Sequence, residues 1–254
     1  MNAESDAPPA AAGPLGRPIR PRRAELVFFT GPMDSGKSTL ALQMAHTQAS
    51  HDRQGRLFTC LDRSGQAIIG SRIGLARRAV EVGPGLDFWA RLVGELSAGA
   101  RIDYLVCDEA QFYAPEQIDQ LARIVDDLGI DVYCFGILAD FRTRLFPGSA
   151  RLVELADRVE WPQAQPLCWC GERATTNART VNGRMVTEGA QVVVGDTATG
   201  AAGTIAYEVL CRRHWRQRLT RADAMATLSP ATLPFGDAET LPLQPASTAG
   251  EPTA

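Results

Sequence analysis

The sequence predicts an α/β fold in which a mainly parallel sheet carries a phosphate-binding loop, followed by a small cysteine-bearing module. Three observations lead there. Residues 31–38, Gly31-Pro32-Met33-Asp34-Ser35-Gly36-Lys37-Ser38, fill the pattern G-x-x-x-x-G-K-[ST] at every fixed position. Short apolar runs rich in β-formers alternate with stretches of helical spacing between residues 25 and 159. Near Trp161 the texture changes: Pro162 and Pro166 mark a linker, and turn-rich segments with close cysteines follow.

Composition sets the outer bounds. With 254 residues the chain can hold one full α/β domain and a small module without covalent staples. A net charge of −3 and a pI near 5.7 give no overall basic character, which argues against nucleic acid as the main partner and for a small anionic ligand held locally. No apolar stretch approaches the roughly 20 residues of a membrane span. Residues 1–23 carry Pro8, Pro9, Pro14, Pro18 and Pro21, then Arg17, Arg20, Arg22 and Arg23, with no apolar core of a signal peptide. They read as a disordered arm on a cytoplasmic protein.

In chain order, residues 25–30 form the first strand and residues 39–45 continue into a helix, which is the strand–loop–helix context that the phosphate motif requires. Its glycines let backbone N–H groups turn inward on a polyphosphate, and the helix start adds positive partial charge. Lys37 then reaches the β- and γ-phosphates and Ser38 the accompanying Mg²⁺. Residues 56–61 make a second strand, completing a βαβ unit, with Asp62 and Arg63 at its carboxyl end, where ligands bind in open parallel sheets. A short strand near residues 79–82 precedes a helix over 86–96, with Leu86, Trp89, Val93 and Leu96 along one side.

Residues 101–109 form a buried strand that ends in Asp108 and Glu109. Phosphoryl transfer needs an acidic group near Mg²⁺, and a second carboxylate can serve as base if it faces the nucleophile. Side chains alternate along an extended segment, so these two can divide the roles. A helix opens at Pro115 and closes at Gly129, and residues 131–137 are the next buried strand. A loop over 138–149 carries Phe141, Arg142, Arg144 and Phe146, and residues 151–159 read as a helix through Leu152, Leu155 and Val159.

In the C-terminal module, Val181-Asn182-Gly183-Arg184 signals a hairpin, residues 191–194 a further strand, and residues 195–206 a mobile loop of small residues. Cys168, Cys170, Cys211 and His214 supply three thiolates and an imidazole with no spare position, the donor set of a structural zinc site. Only Trp169 separates the first pair, a shorter spacing than zinc ribbons ordinarily show. Cys60, Cys107 and Cys134 lie in apolar runs and read as small core residues. Residues from Ser229 onward, rich in Pro, Ala and Thr, read as disordered.

Taken together, G-P-M-D-S-G-K-S, D-E-A-Q-F from Asp108, D-F-R-T-R-L-F from Asp140, then C-W-C-G, E-G-A-Q-V-V-V-G and C-R-R-H resemble the type II thymidine kinases, in that family's order and over roughly residues 24–216. The resemblance implies a RecA-like P-loop domain over residues 24–160 joined to a zinc-ribbon and lasso domain over 161–218, with a disordered tail over 219–254. It implies ATP-dependent phosphorylation of the 5′-hydroxyl of thymidine to dTMP, with Glu109 as base, Asp108 toward Mg²⁺ and Gln111 among the nucleotide-binding residues. Met33, Phe112, Phe141 and Phe146 fall where the family lines its nucleoside pocket, Tyr207 matches the lasso tyrosine, and Arg63 the arginine that contacts phosphate. Association into homotetramers is implied in the same way.

Three departures stand out: Asp34 replaces an aromatic residue common in the family and must point outward from the polyanion, the cysteine pair is C-x-C, and residues 195–207 include several extra positions. Two alternatives stay open. One is a kinase for another deoxynucleoside. The other is a nucleic-acid-dependent ATPase, which the length disfavours because two motor domains need on the order of 400 residues.

Overall fold

The computed structural model describes residues 23–60, 67–191, 199–200 and 203–227. Its centre is a six-stranded, all-parallel sheet. The strands are β1 (Leu26–Thr30), β2 (Gly55–Thr59), β5 (Val80–Glu81), β6 (Tyr104–Cys107), β7 (Asp131–Gly136) and β8 (Arg158–Glu160). Their order is β5-β2-β6-β7-β1-β8. A separate antiparallel pair, β3 (Ile68–Gly70) and β4 (Ala76–Arg78), projects beside it.

The central strands β1, β6 and β7 are covered on both faces, so they are almost continuously apolar. Alternation along each strand divides the core in two. Val27, Tyr104, Val106, Tyr133 and Phe135 face α1 (Lys37–Ser50) through Ala41, Leu42 and Ala45. Leu26, Phe28, Leu105, Cys107, Val132 and Cys134 face the other way, against Phe88 and Leu92 of α2 (Phe88–Ser97) and Ile118, Leu121 and Ile124 of α3 (Pro115–Leu128). Each such buried side chain contributes about 1.5–3 kcal/mol, so the two clusters dominate stability. Cys107 and Cys134 are core residues as expected, paired across β6 and β7.

Helix ends follow local chemistry. Asp87 caps α2 by accepting from the Ala90 N–H at 2.8 Å. Pro115 occupies the first turn of α3, and Gly129, with φ of 66°, closes it.

Four expectations need correction. The helix read over 151–159 is α4 (Pro147–Leu155), because Pro147 fits the first turn and the Ala150 N–H already bonds Phe146 O at 2.8 Å. The apolar spacing through Val159 belongs to β8 instead, which the open edge of β1 recruits; Asp157 leads it in by accepting from Leu26 N–H at 2.8 Å. The last four residues of the stretch read as a mobile loop, 203–206, belong to β12 (Gly203–Leu210), whose residues 205–210 pair with β9 (Thr176–Val181). Residues 221–227, read as part of a disordered tail, form a short helix, α6 (Arg221–Thr227), started by Thr220, whose N–H and hydroxyl both reach Asp223.

The C-terminal module is a four-stranded antiparallel sheet, β10 (Arg184–Val186), β9, β12 and β11 (Thr199–Gly200), followed by α5 (Arg212–Gln217). Asn182 and Gly183 both take positive φ, 52° and 78°, as a two-residue hairpin turn requires. Arg63, most of the strand read over 191–194, the arm over residues 1–22 and the chain after residue 227 lie outside the described residues.

Candidate active site

The phosphate loop leaves the carboxyl end of β1 at Thr30 and enters α1 through Gly36, whose φ of 73° is a left-handed turn that a side chain would strain. Asp34 also takes a left-handed φ, 63°, which turns its half-exposed carboxylate outward to an ion pair with Arg72 on the β3–β4 turn. This is the outward orientation the sequence demanded, and at such exposure the pair adds little stability. Lys37 folds back over the loop: its Nζ donates to Gly31 O at 3.1 Å, Pro32 O at 2.7 Å and Ser35 Oγ at 3.1 Å. Burial pushes it down to about 8, against the pull of Glu109, Asp108 and Asp34. A polyphosphate would replace those neutral acceptors with anionic ones.

Asp108 emerges at the end of β6, is 4 % exposed, and accepts a hydrogen bond from Ser38 at the start of α1. Burial first, and the neighbouring Glu109 second, raise it to about 7. Ser38 and Asp108 therefore meet beside Lys37, the hydroxyl and carboxylate donors suited to a hard divalent cation.

Glu109 adopts φ 53° and ψ 34°, a left-handed conformation that costs a non-glycine residue about 1 kcal/mol. The turn of residues 110–112 that follows brings Gln111 beneath it. Gln111 Nε2 donates to Glu109 Oε2 at 2.5 Å, and Gln111 Oε1 accepts from the Ile137 N–H at 3.2 Å. Gln111, expected among the nucleotide-binding residues, is thus buried behind the carboxylate with both ends of its amide engaged.

The aromatic side of the site is built by two loops. Phe112 and Phe146 pack edge to face with centroids 5.5 Å apart. Phe141 is 2 % exposed, and its loop is organised by Asp140, which accepts from the N–H groups of Arg142 and Arg144 and pairs with the Arg142 guanidinium at 2.8 Å. Residues of β9 then tie these loops together. Asn177 Oδ1 accepts from the Met33 N–H of the phosphate loop at 2.8 Å, while its Nδ2 donates to Ala139 O at 3.2 Å. Two residues on, Arg179 lies over Phe141 and bonds the hydroxyl of Tyr207. Asn177 and Arg179 carry no motif of their own. The only signal was a pair of polar residues at alternate positions of a strand that packs against the larger domain.

The four metal-competent residues also converge. Ligand atoms of Cys168, Cys170, Cys211 and His214 lie within 4.8 Å of one another. His214 Nδ1 is 3.4 Å from Cys168 Sγ and 3.5 Å from Cys211 Sγ. Tetrahedral zinc bonds of about 2.3 Å to sulfur and about 2.1 Å to nitrogen imply edges close to those lengths, so the residues fit the ion. The short C-x-C spacing is accommodated by a tight turn in which the Gly171 N–H bonds Cys168 O at 2.8 Å. Trp169 stacks on His214, centroids 4.1 Å apart, and fixes its ring. The next residue, Trp215, donates from Nε1 to Phe141 O at 3.0 Å.

A parallel sheet with this loop, an acidic pair at the neighbouring strand end and a module whose Cys/His cluster fits a metal ion define a P-loop phosphotransferase-type protein. The sequence profile of the thymidine kinase family matches residues 24–215. The chain is 67 % identical over 212 residues to a thymidine kinase of Cutibacterium acnes, covering 84 % of this chain and 97 % of that protein. It is 60 % identical over 215 residues to a thymidine kinase of Streptomyces avermitilis, covering 84 % and 99 %, and 42 % identical over 197 residues to one of Ruegeria pomeroyi, covering 76 % and 94 %. The chain belongs to the thymidine kinase family. Among the described residues, no helix is long and apolar enough to cross a membrane.

Proposed function

We propose that the protein transfers the γ-phosphoryl group of ATP to the 5′-hydroxyl of thymidine, giving dTMP and ADP, in nucleotide salvage in the cytoplasm. The observation that carries this reading is the position of Glu109. It sits one residue beyond the buried Asp108, close enough to Lys37 to act on its charge, and beside the turn that presents Phe112 to the aromatic side. A carboxylate held there by Gln111 can take the proton of an acceptor hydroxyl while the oxygen attacks the γ-phosphorus and ADP departs.

The phosphate loop and Lys37 hold the polyphosphate. Ser38 and Asp108 are the residues that would hold Mg²⁺, which supplies charge neutralisation across the β- and γ-phosphates when bound with ATP. Met33, Phe112, Phe141, Phe146 and Tyr207 form the nucleoside side, and the Cys/His cluster holds a structural zinc. Membership of the family supports a homotetramer as the working unit, and light scattering at micromolar concentration tests it.

Incubation with labelled ATP and a panel of nucleosides tests the reading. Thymidine is expected to be the preferred acceptor, with no stimulation by DNA. Failure to phosphorylate thymidine sinks the proposal, transfer to a different deoxynucleoside relocates it, and DNA-stimulated ATP turnover points to a motor.

A further inference from the structure

Arg179 is 4 % exposed, and among the described residues no carboxylate pairs with it. A buried cation without a counter-ion is costly, so its surroundings have to compensate. The hydrogen-bond partners it has among the described residues are all neutral. Nε donates to the Tyr207 hydroxyl at 3.0 Å, Nη1 to Ala190 O at 2.8 Å and Nη2 to Gln191 O at 3.2 Å. The guanidinium carbon lies 3.9 Å from the centroid of Phe141 and 5.4 Å from that of Tyr207. All three nitrogens are engaged, and the plane is covered by an aromatic ring.

Each partner comes from a different part of the chain. Phe141 belongs to the loop after β7 and Tyr207 to β12, where it is the direct cross-strand partner of Arg179, while Ala190 and Gln191 lie beyond β10. The fork of one side chain thus fixes the relative position of two proposed nucleoside-pocket residues and of the backbone leading into the lasso. A planar guanidinium suits this because its donors are rigidly spaced, whereas an ammonium is a point charge on a flexible stem.

Building on the kinase reading, we propose that Arg179 is a positioning residue for the acceptor nucleoside: it holds Phe141, Tyr207 and the backbone at Ala190 and Gln191 in a single frame and acts through them. Its hydrogen bonds and ring contacts go to Tyr207, Phe141 and the backbone of Ala190 and Gln191, not to the phosphate loop or Glu109, so its effect belongs to acceptor binding rather than to ATP or to the proton transfer.

Steady-state kinetics of Arg179→Met and Arg179→Lys, each checked for zinc content and far-UV circular dichroism, test this. Arg179→Met keeps the volume and removes the charge and donors. It is expected to raise the KM for thymidine by about 10-fold or more, with kcat and the KM for ATP changed by no more than about 3-fold. Arg179→Lys is expected to fall between it and the wild type. An unchanged nucleoside KM in either folded variant overturns the inference, as does a parallel loss toward both substrates. If Arg179→Met does not fold, Arg179→Lys decides alone: a normal nucleoside KM leaves the residue a purely structural role. If the wild-type protein prefers another deoxynucleoside, the same split is read on that acceptor. No nucleoside phosphorylation by the wild type instead removes the underlying kinase reading, so the two failures are told apart.

Discussion

Glu109 combines a backbone conformation that costs energy with a side chain held at the end of a relay, Ile137 N–H to Gln111 to carboxylate. Strain retained at one position is characteristic of sites where orientation outweighs stability. Glu109→Gln is therefore expected to lower kcat by about 10²–10⁴ while ATP binding is largely retained, as measured by turnover and by titration with a fluorescent nucleotide. Unchanged turnover would place the base elsewhere. Asp108 makes a second prediction, about pH. Its carboxyl is raised on folding from 3.8 to about 7, so its contribution to the nucleotide-free fold is fully present below 3.8 and lost as the pH rises through about 7. Asp108→Asn removes that loss, and without nucleotide the variant is expected to gain about 1–3 kcal/mol on the wild type between pH 5 and pH 8. Thermal melts that differ equally at both pH values would rule this out. The phosphate-loop residues and the acidic pair were readable from the sequence because their chemistry requires fixed spacings. For Gln111 the sequence placed a residue near the site without its orientation, because the turn after Glu109 decides which groups its amide meets, here the Glu109 carboxylate and the Ile137 N–H.

The elements show where pattern reading fails. A buried parallel strand or an isolated apolar helix announces itself, and β1, β6, β7, α2 and α3 were all expected within a few residues of their ends. By contrast, β8 has three residues and exists because β1 leaves an edge open. The start of α4 depends on a close approach: a Cβ on Gly148 would sit 2.6 Å from Tyr113 O and 2.7 Å from Ala110 O. Those carbonyls belong to the turn that carries Gln111 and Phe112. Gly148→Ala is accordingly expected to destabilise the protein by about 1–3 kcal/mol in denaturant unfolding and to lower kcat as well, because the turn under Glu109 must shift. A neutral effect on both would show that α4 can move away at no cost. On β9, Asn177→Ala leaves the Met33 N–H and the Ala139 carbonyl without their partner, at about 1–3 kcal/mol. Since one side chain bridges the two loops, the variant is expected to raise the KM for ATP and for thymidine together, the reverse of the split expected at Arg179.

At the scale of the whole molecule, the C-terminal module is bonded to the loops of the larger domain rather than standing apart as an appendage. Asn177 and Arg179 reach those loops from its sheet, as Trp215 does from α5, a dependence no sequence window could contain. Zinc removal should therefore be felt first by the acceptor side. Cys211→Ser is expected to lose a single bound zinc ion per chain and to raise the nucleoside KM before nucleotide binding is affected, as read by metal analysis and paired titrations. A metal-free protein of normal activity would dissociate the cluster from function. The hydrogen bond from Trp215 to the backbone of Phe141 has a further, practical consequence. Of the four tryptophans, Trp169 lies flat against the His214 ring and Trp215 joins the same residue's helix to the backbone of Phe141. On the proposed reading, half of the chain's indoles stand between metal and acceptor, so ultraviolet emission is expected to give a built-in, label-free optical signal for the arrival of either one.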